Sequence, residues 1–205
     1  MSRAGTITRR TLLVSSAIIA GGVAFGVYAV RKPHANPLLD TLGPDEATFN
    51  PWVKITPERI VLIAPHIDLG QGSAGMQSLL IAEEMDLEPG QYEIEFGPPS
   101  AAYWNTAQGD ESAPFMSQNE GFLAEGVRGA MTSVFKPLGM QITGGSSSTP
   151  DSFDKLREAG AIARETLKAA AAKKHDVDVA GLKTEKGAVI LPDGTEIAYT
   201  ALAAD

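Results

Sequence analysis

Three stretches of this 205-residue chain hold residue types whose spacing can do chemistry. Gly144-Gly145-Ser146-Ser147-Ser148-Thr149 stands just before a run with helical periodicity. Free main-chain N–H groups at such a helix start, with three serine hydroxyls, suit a phosphate or pyrophosphate held without lysine or arginine. The same residues also read as a simple capped turn. They are not a Walker loop, because no Gly-Lys-Ser/Thr is present. Gly70-Gln71-Gly72 follows a strand-like run. Its glycines allow a ligand close to the main chain, and its amide donates and accepts at once, which suits a heterocycle or an oxo group. Standing alone, the triplet also reads as a turn. His66 and Asp68 would share one face of an extended segment and form a candidate metal or proton-transfer pair. With only His34, His66 and His175 in the chain, no third ligand is evident, so surface or supporting roles fit them better. Gly145 to Thr149 lacks the last glycine of a Gly-x-Ser-x-Gly nucleophile elbow, which argues against a serine hydrolase. Glu83 and Glu84 point to different faces of a helix and read as solvated charge, while Asp176 and Asp178 mark a loop. No residue is assigned as catalytic and none as a metal ligand.

The elements that must position these residues follow from periodicity. Two β-branched runs, 52–56 and 59–64, joined through Thr-Pro-Glu, predict a hairpin. Residues 75–86 place Met76, Leu79, Leu80, Ala82 and Met85 on one broad helical face. Tyr92, Ile94 and Phe96 alternate with Glu93 and Glu95 and predict a half-exposed strand, ended by Gly97-Pro98-Pro99. Residues 100–139 read mostly as loop, with one short helix around 124–135. Thr149 as N-cap, Pro150 at the first helical position and Asp151 at the positive end of the dipole predict a long helix start. Phe153, Leu156, Gly160, Ala163, Leu167 and Ala170 then recur at three- and four-residue steps, and Ala159, Gly160 and Ala163 allow a close approach to a neighbour. Beyond His175, residues 177–179 and 188–191 read as extended, Pro192-Asp193-Gly194 as a turn, 197–199 as extended again, and 199–204 as the start of a helix. The class predicted is α+β, a mixed sheet with packed helices.

Composition narrows the chemistry. Cysteine is absent, so the chain can hold no disulfide, no iron–sulfur cluster, no thiolate zinc site and no cysteine nucleophile. A formal charge of −8 argues against nucleic acid as a partner. That average hides a division: residues 1–35 carry Arg3, Arg9, Arg10, Arg31 and Lys32 and no acid, which leaves twelve basic against 25 acidic residues in the rest of the chain. Residues 11–30 are an uncharged, mostly apolar run, about the ~20 residues a helix needs to cross a bilayer. Thr8-Arg9-Arg10-Thr11-Leu12-Leu13 resembles a twin-arginine export signature, with cleavage and retention as an anchor both open. The organisation read is therefore a signal or membrane anchor at 1–35, a linker at 36–50 and a folded domain at 51–205. Export places that domain in the periplasm or on the periplasmic face of the inner membrane.

Order and spacing add a resemblance. Asn50-Pro51-Trp52-Val53-Lys54-Ile55 leads to Asp68-Leu69-Gly70-Gln71-Gly72 and Leu80-Ile81-Ala82-Glu83-Glu84-Met85-Asp86. Thr143-Gly144-Gly145-Ser146-Ser147-Ser148 and the run from Leu156 to Arg164 follow. Together these resemble the N-terminal portion of the molybdopterin-binding large subunit in the xanthine oxidase family of molybdenum hydroxylases. The subtype is that of isoquinoline 1-oxidoreductase β subunits and exported aldehyde dehydrogenases. The resemblance implies that Leu69, Gly70, Gln71 and Gly72 contact the pterin, with Asp68 in place of the family's glutamate. It implies that Gly145, Ser146, Ser147 and Ser148 hold the phosphate region of a molybdenum–molybdopterin cytosine dinucleotide. It further implies oxidation of aldehydes or N-heteroaromatics with oxygen from water. The implied partners are an iron–sulfur small subunit, the remainder of the large subunit if that is split, and a downstream acceptor such as a cytochrome. The family's catalytic glutamate lies in a C-terminal portion that this chain lacks, so the chain alone is expected to be inactive. The competing reading is an exported or membrane-tethered, non-enzymatic α+β module that binds a partner through its acidic surface.

Overall fold

The hairpin forms where β-branched residues flank a turn that Thr56 closes. In a computed structural model describing residues 32–116 and 118–203, β2 (Val53–Ile55) pairs antiparallel with β3 (Ile60–Ala64), Ile55 opposite Ile60. The Thr56 hydroxyl accepts from the main-chain N–H of Glu58 at 3.2 Å and of Arg59 at 3.0 Å. All five residues of β3 are buried, which explains a continuous apolar run rather than an alternating one. Helix α1 (Ser73–Glu84) crosses over and returns the chain as β4 (Tyr92–Phe96), parallel to β3 with Ile60 opposite Tyr92. The predicted strand forms as the edge strand β4, but Ile94 and Phe96, the apolar side of its alternation, are themselves exposed because no element covers that end of the edge strand's face among the described residues. On the other edge β1 (Ala47–Asn50) pairs antiparallel with β2, giving a sheet of order β1-β2-β3-β4. β1 and the buried Leu38 lie in the 36–50 segment read as a linker. Four residues are too few to show a period, and pairing with β2 makes them a strand. The export or anchor segment lies, but for its last few residues, outside the described residues.

α1 lies on the sheet with a face turned from the predicted one. Ser73, Gln77, Ser78, Ile81 and Ala82 are buried while Leu79 is half-exposed. The reason is Gln77, whose side chain accepts from His66 N at 2.9 Å and donates to the carbonyls of His66 at 3.2 Å and Ser73 at 2.8 Å. Residues 100–139, read mostly as loop, carry α2 (Ala107–Glu111) and α3 (Phe122–Leu138), the latter longer than predicted at both ends. α4 (Ser148–His175) starts one residue before the predicted cap: Ser147 takes the cap position, and no side chain caps the helix. Phe153 is half-exposed, whereas Leu156, Gly160, Ala163, Leu167 and Ala171 are buried. Leu156, Ala163, Leu167 and Ala171 join Val53, Ile55, Leu62, Ile81 and Met85 in the main core. Val61 and Ile63 face the other way, into a smaller cluster with Leu38 and Tyr103.

Gly160 brings α4 against α1. A Cβ there would stand 2.5 Å from the Ile81 carbonyl oxygen, a main-chain atom that cannot swing aside. Gly160→Val is therefore expected to lower unfolding stability by about 1–3 kcal/mol. Gly126→Ala on α3, where a Cβ meets nothing within 4 Å, is expected to raise stability by about 0.5–1 kcal/mol. Urea midpoints at constant slope read both, and equal effects at the two sites would refute the close helix crossing.

The C-terminal part is an antiparallel meander of β5 (Lys183–Glu185), β6 (Ala188–Ile190) and β7 (Glu196–Ala198). The sequence reading missed β5 and placed an extended run at 177–179. Instead Val179–Gly181 is a 3-10 turn closed by Asp178, whose carboxylate accepts from Ala180 N at 2.9 Å. The predicted terminal helix is a 3-10 turn at Tyr199–Leu202, and the buried Tyr199 donates to the Met85 carbonyl at 3.1 Å. The fold is α+β, with a mixed sheet and packed helices, as predicted.

Candidate functional site

Parallel strands end on the same side, and the crevice outside their carboxyl ends is where open α/β sheets bind ligands. β3 ends at Ala64 and β4 at Phe96, and beyond them opens a cavity of about 800 Å³ whose lining includes Pro65, Ile67, Leu69, Gly97, Gln141 and Thr143. The loop after β3 and the segment before α4 therefore face one space. Three bonds stitch them side by side. Gln141 Nε2 donates to the Pro65 carbonyl at 3.0 Å, His66 Nδ1 lies 3.0 Å from the Ile142 carbonyl, and Ile67 N donates to Thr143 Oγ1 at 3.0 Å.

The 68–72 loop is held by its own side chains. Asp68 Oδ1 accepts from Gly70 N at 2.8 Å and Gly72 N at 3.3 Å, and its Oδ2 accepts from Ala74 N at 3.0 Å. The N–H groups of Ala74 and Gly70 hold the Asp68 carboxyl below its ordinary pKa, so it stays ionised at the start of α1. Asp68 thus organises the loop and does not pair with His66. Gln71 accepts from Leu69 N at 2.6 Å and donates to Ile67 O at 2.8 Å and Ser73 Oγ at 3.0 Å, so its amide is folded back into the loop. Leu69 at the tip is 85% exposed, an unusual placing for leucine. Gly70 and Gly72 have φ of +100° and +79° and open space on their Cβ sides.

In the second loop Gly145 and Ser146 are both left-handed, with φ of 61° and 60°. Ser146 is exposed and Ser148 half-buried. Ser147 is turned inward: its hydroxyl donates to the Gly144 carbonyl at 2.6 Å and accepts from Asn105 Nδ2 at 2.7 Å. A Cβ on Gly145 would lie 2.7 Å from a carboxylate oxygen of Glu111, so one acidic group borders this loop.

Beneath both loops lies a buried ionic group that sequence reading missed. His66 and Asp151 are both fully buried as side chains, with Nε2 2.8 Å from Oδ2. The other oxygen, Oδ1, accepts from Thr106 N, Thr106 Oγ1 and Lys155 Nζ, each at 2.6 Å. Burial pushes the Asp151 carboxyl up, but the bonds from His66, Lys155 and Thr106 outweigh it and bring it down to about 2. Burial pulls the Lys155 ammonium down, and the Asp151 charge works against that. Lys155 also donates to the Trp104 carbonyl at 3.0 Å. Asp151 was legible as a dipole complement, with Lys155 four residues on along the same helix, but His66 and Thr106 lie 85 and 45 residues away and no local spacing announces them. Among the described residues no group of three or more His, Asp or Glu could hold a metal ion.

The chain resembles an oxidoreductase subunit. It is 29% identical over 191 residues to isoquinoline 1-oxidoreductase subunit beta of Brevundimonas diminuta, a match covering 90% of this chain and 20% of that protein. The chain thus spans about a fifth of the length of the relative it matches. Only a tenth of the chain is left at the ends of the match, so both glycine-containing loops fall within it. No family model matches.

Proposed function

We propose that the chain is the N-terminal part of the molybdopterin-binding subunit of a molybdenum hydroxylase acting on aldehydes or N-heteroaromatics. The likeness to an isoquinoline 1-oxidoreductase β subunit supports this reading, and Gly144 is the observation that carries it. Its φ is not in the left-handed region and a Cβ on it would meet nothing within 4 Å, so neither a turn nor internal packing calls for glycine there. Gly144 directly follows the cavity-lining Thr143, and main chain left bare there has room for a ligand lying against it. The residues present therefore fit the cofactor.

When bound, a molybdenum–molybdopterin cytosine dinucleotide would supply the two-electron oxidation in which substrate carbon gains a hydroxyl oxygen from water. The chain's own residues bind and orient it. Gly70 and Gly72 would let the pterin approach the main chain, and the exposed Leu69 would offer it an apolar contact. Gln71 could hold the pterin only by giving up bonds within its loop, at small net cost if one set of hydrogen bonds replaced another. Gly145, Ser146 and Ser148 hold the phosphate region near the start of α4. Ser147 supports that loop from inside through Asn105. The iron–sulfur clusters sit on a small partner subunit, the rest of the large polypeptide completes the site, and an acceptor such as a cytochrome takes the electrons. The arginine pair at Arg9 and Arg10 directs export by a twin-arginine route, which puts the complex on the periplasmic side.

Metal analysis of the protein purified with its neighbouring subunits tests the reading. Molybdenum near one per complex is expected, with Gln71→Ala lowering retention by up to about ten-fold, the equivalent of one good hydrogen bond. Glu111→Gln, which removes the carboxylate beside Gly145, is expected to raise retention by about two- to five-fold, the scale of an exposed charge contact. A metal-free complex that tolerates replacement of the serine loop would leave the non-enzymatic interaction module as the function.

A further inference from the structure

The protonation of His66 follows from its partners. Asp151 Oδ1 already accepts three donors, Thr106 N, Thr106 Oγ1 and Lys155 Nζ, and a carboxyl so loaded is ionised. Its Oδ2 then has no proton to give, so the bond at 2.8 Å requires Nε2–H of His66 as donor. The other ring nitrogen, Nδ1, stands 3.0 Å from the Ile142 carbonyl, which can only accept. Both bonds exist together only when the ring carries both protons. Gln77 of α1 meanwhile grips the main chain of His66 on both its N–H and its carbonyl.

The ring's place in the chain gives this a consequence. His66 lies two residues before the 68–72 loop, Ile142 lies two residues before Gly144, and Asp151 lies in the first turn of α4 just after the serine loop. One buried side chain thus bonds to the segments on both sides of the second loop while its own main chain leads into the first.

We propose that His66 is a positioning residue: as an imidazolium bonded to Asp151 and Ile142, it holds the 68–72 and 144–148 loops as one unit, so that both sides of the cleft order or loosen together. As a claim about cofactor binding this rests on the function proposed above, but the coupling itself is a property of the chain without ligand. The charged groups at the ring are Asp151 and, through it, Lys155, both on α4; α1 brings the uncharged Gln77, and the 141–143 segment brings a carbonyl. Raising the pH until the ring loses a proton breaks one of its two bonds, and both loops should then lose order at the same pH.

Amide hydrogen exchange on the full chain tests this, followed by mass spectrometry across a pH series and corrected for intrinsic rates. In the parent protein, peptides covering 67–73 and 142–149 are expected to lose protection in one step, by about ten-fold, the scale of a lost hydrogen bond to a charged group. His66→Gln can donate to only one of the two acceptors. It should show both loops fast at every pH and no step, with peptides from β2 and β3 unchanged. Loops that loosen at different pH values, or a step that survives in His66→Gln, would overturn the proposal. Should the variant fail to fold, ring nitrogen-15 shifts of the parent protein decide, and a buried ring with only one protonated nitrogen throughout the pH range in which the protein is folded would equally overturn it. No cofactor enters either measurement, so a metal-free complex would refute the molybdenum reading and leave this result standing.

Discussion

Asp151→Ala is expected to destabilise the fold by about 3–5 kcal/mol, the range for breaking one side of a buried ion pair. The size comes from what is left behind rather than from the attraction lost. Without the carboxylate, the fully buried His66 ring loses its Nε2 partner, Thr106 loses an acceptor for both N–H and hydroxyl, and the Lys155 ammonium keeps only the Trp104 carbonyl and the face of the Trp104 ring at 5.9 Å. Each orphaned buried donor carries its own desolvation cost. Asp151→Asn keeps the shape and one acceptor oxygen and should lose less, about 1–3 kcal/mol. Equilibrium unfolding in urea reads both, and a loss under 1 kcal/mol for the alanine variant would contradict the network.

The same carboxyl sets an acid limit on stability. Its pKa is lowered on folding, from an ordinary 3.8 to about 2, so the folded state binds its proton less readily than the unfolded chain. The stabilisation is therefore complete above 3.8 and lost as the pH falls towards 2, amounting to roughly 2 kcal/mol over that window. Asp151→Asn has no such proton to take up. Its stability should fall less steeply than the parent's between pH 4 and pH 2, and parallel profiles would show that other carboxylates govern acid unfolding.

What could be read in the sequence depended on the range of the forces involved. α1 and the body of α4 declare themselves because their apolar residues recur at helical steps, and the β2–β3 hairpin because two β-branched runs flank a turn. The inner face of α1 was misjudged because Gln77 and Ser78 are buried by hydrogen-bonding needs that hydropathy does not register. Residues 100–139 stayed obscure because α2 and α3 pack on each other through a glycine: a Cβ on Gly109 would stand 2.4 Å from the Thr132 backbone. At the site, the two glycine loops were legible as local motifs. The inward turn of Ser147 was not, nor was the pairing of His66 with Asp151 instead of Asp68. Both depend on partners tens of residues away, Asn105 in one case and α4 in the other.

Tyr103→Ala should have an effect of the same order, about 3–5 kcal/mol, the range for deleting a buried aromatic ring. Tyr103 is fully buried on the face of the sheet opposite α1 and α4, packs edge-on against Trp52 at 6.4 Å between ring centroids, and donates to the Pro51 carbonyl at 2.8 Å. Burial pushes its phenol well above the ordinary range, so the hydroxyl stays a donor at any working pH. Tyr103→Phe removes only that bond and should cost about 1 kcal/mol, which separates packing from hydrogen bonding. The ring also bears on the cleft. A Cβ on Gly97, a cavity-lining residue at the end of β4, would lie 2.4 Å from a Tyr103 ring carbon. The chain at the mouth of the cleft therefore rests directly on the aromatic ring. Gly97→Ala in the parent protein must push that ring aside and is expected to cost about 1–3 kcal/mol. In a Tyr103→Leu background the space is already vacated, so the same substitution should cost under half as much, a coupling that only residues in contact can show. Additive effects would mean that the β4 end and the Tyr103 ring do not touch, and that the cleft is shaped from elsewhere.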